Sequence, residues 1–217
     1  KYWDIWDNAG KITCKDEKDL CDKILSELRT SVQLRKVSDV PVGVFLSGGI
    51  DSSTNTVLFS EGEGAPVKAF SIGYQGEYDS YKNEVEYARK MADYAGAEYF
   101  EKLLNIDDIV DFLPLMIHLQ DEPIADPVCV PVYYVSKLAR EKGMVVCQVG
   151  EGADELFWGY PTWKIKWNLQ KVGNLPVPKF LKKGVLKILK LAGKENGHHY
   201  EALRRNVNDQ PVFWGGA

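Results

Sequence analysis

The feature that most constrains this chain is an apolar run, Val40 to Leu46, that enters the glycine pair Gly48-Gly49 through Ser47. Its β-branched content and lack of polar alternation predict a strand buried on both faces, which implies a parallel sheet covered by helices. The following residues, Ser52 to Phe59, can form a helix. A buried strand, a glycine turn and a helix in that order place backbone N–H groups at a helix N-terminus, where an anion is favoured.

The rest of the chain repeats this alternation. Asp16 opens a helix from Glu17 to Val37, with Leu20, Ile24, Leu28 and Val32 on one face that packs against something larger. Val67 to Tyr74 reads as a second strand. Tyr81, Val85, Ala88, Ala92 and Ala95 mark a helix closed by Gly96, and Glu98 to Leu104 a half-buried third strand. Asp107 to Leu119 has helical spacing but contains Pro114, which predicts a kink or a second helix starting there. Pro131 is expected at the first position of a helix reaching Glu141, and Met144 to Val149 is a further apolar strand. The predicted fold is α/β, a doubly wound, mainly parallel sheet with a C-terminal helical appendage.

Beyond Tyr160 the texture changes to Trp163, Trp167, Pro176 and Pro178, then a lysine-rich amphipathic stretch from Lys179 to Lys194. A solvated lysine face with its apolar side packed on the domain is expected for it, in preference to a membrane-surface helix.

A net charge of −4 and a pI near 5.5 offer no footprint for nucleic acid, so phosphate binding must be local. No run of about 18 apolar residues suggests a membrane span. The four cysteines, Cys14, Cys21, Cys129 and Cys147, lack zinc or CxxC spacing, which favours reduced thiols and a cytoplasmic setting.

In the loop Ser47-Gly48-Gly49-Ile50-Asp51-Ser52-Ser53, the glycines allow positive φ and close approach of a phosphate, and the three serines offer hydroxyl donors. The lysine of a Walker A loop is missing and Asp51 stands in the loop instead. A carboxylate beside a polyphosphate needs an intervening cation, so Asp51 is a candidate magnesium ligand. A second acidic motif, Val149-Gly150-Glu151-Gly152-Ala153-Asp154-Glu155-Leu156-Phe157-Trp158-Gly159-Tyr160, also follows an apolar strand. It is expected on the same carboxyl edge of the sheet, where open α/β sheets bind ligands.

SGGxDS after a buried strand resembles the pyrophosphate loop of the ATP pyrophosphatases, a superfamily that cuts ATP between its α and β phosphates. GEGADELFWGY resembles the GEGADELFGGY-like signature of the asparagine synthetase family, and the resemblance runs from about Trp3 to Tyr160. It implies an adenine nucleotide α-hydrolase-like fold, with ATP and Mg2+ as cofactors and Asp51 and Asp154 together holding the metal. Glu151 would lie near the carboxylate being activated, and Leu46, Ile72, Val149 and Gly150 around the adenosine, beside the phosphate contacts of Ser47, Gly48, Gly49, Ser52 and Ser53.

The implied reaction adenylates a carboxylate, aspartate being favoured, and ammonia then displaces AMP. Ammonia would come from a glutaminase domain that this chain lacks. The family also admits amidotransferases acting on other carboxylates, such as a sugar acid, and a catalytically incomplete ATP-binding fragment; oligomeric state stays open. Residues 1–16 read as a linker from a missing glutaminase domain, 17–160 as the synthetase domain and 161–217 as a truncated helical extension. Asp121 to Pro131 resembles the DEPxADPxxxP loop of bacterial members and is expected to shape the acceptor pocket. Cys129 within it has no histidine nearby in sequence and is not expected to act as a nucleophile.

Overall fold

The computed structural model describes residues 16–76, 84–120 and 126–210, together with Tyr2, Asp7, Lys11, Cys14, Glu122, Ile124 and Val212. The expectations for the N-terminal arm, Tyr81, and Asp121, Pro123 and Ala125 lie outside the described residues. Two compact units divide the chain, Lys1–Glu151 and Gly152–Ala217. The boundary falls inside the second acidic motif, nine residues before the expected limit at Tyr160.

The first unit is an α/β sandwich. In chain order it holds α1 (Glu17–Leu34), β1 (Val42–Phe45), α2 (Ile50–Ser60), β2 (Lys68–Tyr74), α3 (Val85–Ala95), β3 (Glu98–Leu104), α4 (Ile106–Leu119), α5 (Cys129–Glu141) and β4 (Val146–Gln148). The four strands pair in the order β3-β2-β1-β4, all parallel. Side chains alternate across each strand, so both faces of the sheet bury apolar groups. On one face Val44, Leu46 and Ala69 meet Val32 of α1, Leu58 and Phe59 of α2, and Ala88 and Ala92 of α3. On the other, Phe70 packs on Val135 and Ala139 of α5. Leu104 there joins Phe112 of α4 with Val130 and Tyr134 of α5. Helices therefore cover both faces, as a doubly wound sheet requires.

Local chemistry sets the element ends. Asp16 caps α1 by accepting from the Asp19 N–H at 3.1 Å. Asn105 caps α4 in a capping box: its side chain accepts from the Asp108 N–H at 2.9 Å, and Asp108 accepts from the Asn105 N–H at 3.0 Å. The helix runs unbroken through Pro114, so no second helix begins there. Pro131 sits at the third position of α5 rather than the first. The shift costs no hydrogen bond, because the first turn of a helix has no intrahelical acceptors for its N–H groups. Cys129 opens α5 and its thiol donates to the Asp126 carbonyl at 3.1 Å.

Two expectations about burial change. β4 is three residues long and not buried on both faces; Val146 is 42% and Val149 53% exposed. Among the described residues it pairs with β1 alone, so one side of the strand has no neighbour to exclude water. In α1, only Val32 is buried, while Leu20, Leu25 and Leu28 stay about two-fifths exposed.

The second unit is helical: α6 (Ala153–Phe157), α7 (Pro161–Gly173), α8 (Lys179–Leu191) and α9 (His198–Val207). Trp163, Ala202, Val207 and Val212 form its buried residues. Lys182 of α8 donates to the Gly173 carbonyl at 2.6 Å and to Asn206 Oδ1 at 2.8 Å, joining α7, α8 and α9.

Candidate functional site

The strand order contains a reversal. From β1 the chain winds outward through β2 to β3, then returns through α4 and α5 to place β4 on the other side of β1. The carboxyl ends of β1 and β4 consequently diverge from a common point, and such a switch point opens the crevice in which doubly wound sheets hold ligands. The Ser47–Ser53 loop leaves β1 there and Val149-Gly150-Glu151 leaves β4.

The β1 loop is internally braced. Ser47 donates its N–H to Ser52 Oγ at 3.1 Å, and the two hydroxyls lie 2.9 Å apart. The Gly49 N–H donates to Ser47 Oγ at 3.3 Å, and Ser52 Oγ donates to the Gly49 carbonyl at 3.2 Å. Ser52 is buried and its hydroxyl shapes the loop from within, which also orients the Ser47 hydroxyl at the exposed side. Gly49 is the residue before α2 and adopts an extended φ of −69°, so of the two glycines only Gly48, at φ +86°, needs the left-handed region.

Gly48 is also a site of close approach. A Cβ there would lie 2.8 Å from both the Ala88 nitrogen and the Glu84 carbonyl oxygen, backbone atoms at the start of α3. Gly150 presses on the loop from the β4 side: a Cβ on it would stand 2.5 Å from the Asp51 carbonyl oxygen and 2.9 Å from the Ser52 nitrogen. The two motifs, a hundred residues apart in sequence, thus meet backbone to backbone at the first turn of α2.

Asp51 is the second residue of α2 and half-buried, where the helix dipole favours its negative charge. Leu46 is 1% exposed; its N–H donates to the Phe70 carbonyl at 2.9 Å and its own carbonyl accepts from the buried Ser71 hydroxyl. Ile72 is half-buried and packs on the core beside Phe70 and Val135. Ser53 is buried with its hydroxyl unpartnered, on a groove between α1, α2 and α3 that Arg29, Tyr87 and Lys90 also line. Val149 and Glu151 are exposed at the end of β4.

Asp154 belongs to the second unit, in the first turn of α6, and is exposed. Its carboxylate lies against Gly159, in the space that a Cβ there would occupy, and the Gly159 N–H donates to the Asp154 carbonyl at 3.0 Å. Tyr160 donates its hydroxyl to Glu155 at 2.6 Å, which holds that carboxyl below its ordinary range. Trp158 adopts φ +60°, a left-handed conformation that favours glycine, and its ring meets those of Trp163 and Trp167 edge-on at 5.9 Å. Among the described residues no group of three or more histidine, cysteine or acidic side chains forms a metal cluster. Magnesium asks for less, since one or two carboxylates together with substrate phosphates hold it. Asp51, half-buried in the first turn of α2, is one carboxylate of that kind.

Sequence reasoning missed two contributors, Ser71 and the first turn of α3 beneath Gly48, and read Gly159 in the second motif without its contact to Asp154. A serine inside the apolar run of β2 was the one visible signal for the first; the contact of α3 with Gly48 is tertiary, and that of Gly159 with Asp154 is set by the local turn at Trp158.

Residues 23–212 match the family model described as Asparagine synthase. The chain is 38% identical over 159 residues to asparagine synthetase [glutamine-hydrolyzing] 1 of Bacillus subtilis, covering 71% of this chain and 24% of that protein. A putative asparagine synthetase [glutamine-hydrolyzing] of Mycobacterium tuberculosis (strain H37Rv) is 36% identical over 170 residues, 78% of this chain and 25% of that one. The chain spans about a quarter of the length of these relatives. Among solved structures, an NH3-dependent NAD synthetase from Campylobacter jejuni in complex with nitrate aligns with a TM-score of 0.42 at 18% identity, over 87% of this chain and 93% of that one. With a family match reaching from α1 to Val212, and with both motifs meeting at the switch point, the chain belongs to the asparagine synthase family.

Proposed function

We propose that this chain is the ATP-using synthetase part of an asparagine synthetase-like enzyme, which adenylates aspartate with Mg-ATP and lets ammonia displace AMP. The observation that carries the reading is the meeting of the Ser47–Ser53 loop with Gly150 at the switch point of a parallel sheet, in a member of this family. The N-terminal N–H groups of α2 and the oriented Ser47 hydroxyl suit the pyrophosphate, whose charge grows as it departs. Gly48 supplies the left-handed turn and the close packing on α3 that hold the loop in place. Asp51 and Asp154 are the residues that would hold Mg2+, which when bound neutralises phosphate charge. Glu151, at the exit of β4, is assigned to the acceptor side, and Leu46, Ile72, Val149 and Gly150 to the adenosine. Ammonia would reach the site from a glutaminase domain of the complete protein.

The test is aspartate-dependent exchange of labelled pyrophosphate into ATP by the complete protein. Exchange that Asp51→Ala abolishes is expected; undiminished exchange by that variant removes the magnesium assignment. Exchange that needs another carboxylate, such as a sugar acid, would replace aspartate as the acceptor and keep the chemistry.

A further inference from the structure

The peptide that joins β1 to its loop is held from two sides. The β1–β2 register ends at Phe45 and Phe70, and the Leu46 N–H still donates to the Phe70 carbonyl at 2.9 Å. One step further, the Leu46 carbonyl accepts from the hydroxyl of Ser71, a side chain of β2. The N–H of the same peptide unit belongs to Ser47 and donates to Ser52 Oγ of α2 at 3.1 Å. The unit is trans, so its C=O and N–H point in opposite directions. Ser71 draws it towards β2 while Ser52 draws it towards α2, and the plane cannot turn without breaking both bonds.

Ser71 is out of place as a packing residue. It is 2% exposed and stands between Phe70 and Ile72 in an apolar run. A hydroxyl buried there costs free energy unless it is bonded. Its bond goes to the neighbouring strand, at the root of the Ser47–Ser53 loop, and the acceptor residue Leu46 is as buried as the donor. Away from water such a bond is electrostatically stronger and holds its geometry.

We propose that Ser71 is a positioning residue for the departure of pyrophosphate: through the Leu46–Ser47 peptide it sets the direction of the Ser47 side chain and of the loop N–H groups that follow. This role rests on the function proposed above. The Ser47 hydroxyl hangs from the Cα that closes the clamped peptide, lies 2.9 Å from Ser52 Oγ and accepts from the Gly49 N–H at 3.3 Å. A turn of the peptide would therefore move the whole set of donors. Charge on the pyrophosphate is greater as it leaves than in bound ATP, so misaimed donors cost rate more than affinity. Ser71 acts through the main chain alone.

The test compares Ser71→Ala with Tyr134→Phe in the complete protein, by aspartate-dependent exchange of labelled pyrophosphate into ATP. Tyr134 is buried and donates its hydroxyl to the Asp108 carbonyl at 2.7 Å, so each variant removes one hydroxyl-to-carbonyl bond and similar losses of stability are expected. Ser71→Ala should lower the maximal exchange rate by about tenfold, less than the outright loss of a donor, with the KM for aspartate held within about twofold. Tyr134→Phe should keep the rate within about twofold of wild type. Hydrogen exchange read amide by amide by mass spectrometry needs no turnover: in Ser71→Ala the Ser47 amide should accelerate at least about fivefold more than that of Ala69 in β2. If Ser71→Ala does not fold, Ser71→Cys, a weaker donor of nearly the same size, takes its place. A rate within about twofold of wild type for the Ser71 variant, an equal fall in Tyr134→Phe, or no selective acceleration at Ser47 would each overturn the role and leave the proposed function standing. No pyrophosphate exchange by the wild type would remove the proposed function, and this role with it.

Discussion

Gly48→Ala tests the packing of the Ser47–Ser53 loop directly. Two costs arise at this one position. An alanine at φ +86° carries a left-handed penalty of about 1–2 kcal/mol. Its methyl would also lie 2.8 Å from two backbone atoms of α3 and 2.9 Å from Tyr87 Cβ, contacts that no rotamer change can relieve, and overpacking of this kind costs about 1–3 kcal/mol. The expected loss is about 2–5 kcal/mol, a large part of the roughly 5–15 kcal/mol that stabilises a domain. Gly49→Ala is the matched control. At φ −69° it carries no such strain, and its methyl would meet only the Ser47 hydroxyl at 3.3 Å, so a loss below about 1 kcal/mol is expected. Urea titrations of both variants, followed by far-ultraviolet circular dichroism, read the difference. Equal losses for the two glycines, or a loss below about 1 kcal/mol for Gly48→Ala, would refute the close approach of α3 to the loop.

Trp158→Gly should leave the second unit within about 1 kcal/mol of wild type in urea titrations, because relief of the left-handed backbone offsets the lost edge-on ring contacts; Trp158→Ala, which keeps the strain and loses the rings, should be clearly less stable. Burial pushes the Tyr99 phenol up to about 12 from 10.0, so the folded chain keeps a proton that the unfolded chain releases. Its contribution is present below pH 10 and is lost as pH rises from 10 towards 12, and Tyr99→Phe should flatten that part of the stability curve. Glu201 runs the other way: hydrogen bonds from Arg204 hold its carboxyl at about 2, so its contribution is present above pH 4.5 and fades as pH falls towards 2, a slope that Glu201→Gln should remove. Burial raises the Cys147 thiol to about 11, and mass spectrometry after iodoacetamide at pH 8 should find it alkylated at least about tenfold more slowly than exposed Cys21.

Strands and helices were legible where one periodicity dominated. Val42 to Phe45 lies between two strands with Gly43 and Val44 buried and its ends half-buried, close to what an unbroken apolar run predicts, and Asp16 and Gly96 bound their helices by local chemistry alone. The same logic overstated β4, because an apolar run cannot reveal that its strand has a neighbour on one side only. In the site, glycine and serine types were readable but their division of labour was not. Which glycine needs positive φ depends on where α2 begins, and the role of Ser52 on a bond to Ser47. The approach of Gly150 to Asp51 depends on the pairing of β1 with β4. The α8 stretch showed the limit of amphipathic pattern, which marks an apolar arc without saying what covers it: none of its residues is buried within the second unit.

The strand order has a consequence for assembly. β1 and β2 pair Val44 with Ala69, a short excursion through one helix, whereas β1 and β4 pair Val42 with Val146 only after α4 and α5 have been laid down. Closing that longer loop costs more chain entropy, and β4 brings just three residues to repay it. The β1–β4 seam should therefore be the last part of the sheet to form and the first to open, with amides of Val146 to Gln148 exchanging before those of β2. A ligand held at this seam would act as its clasp, slowing that exchange selectively, so the proposed nucleotide site and the weakest pairing of the sheet would be the same place.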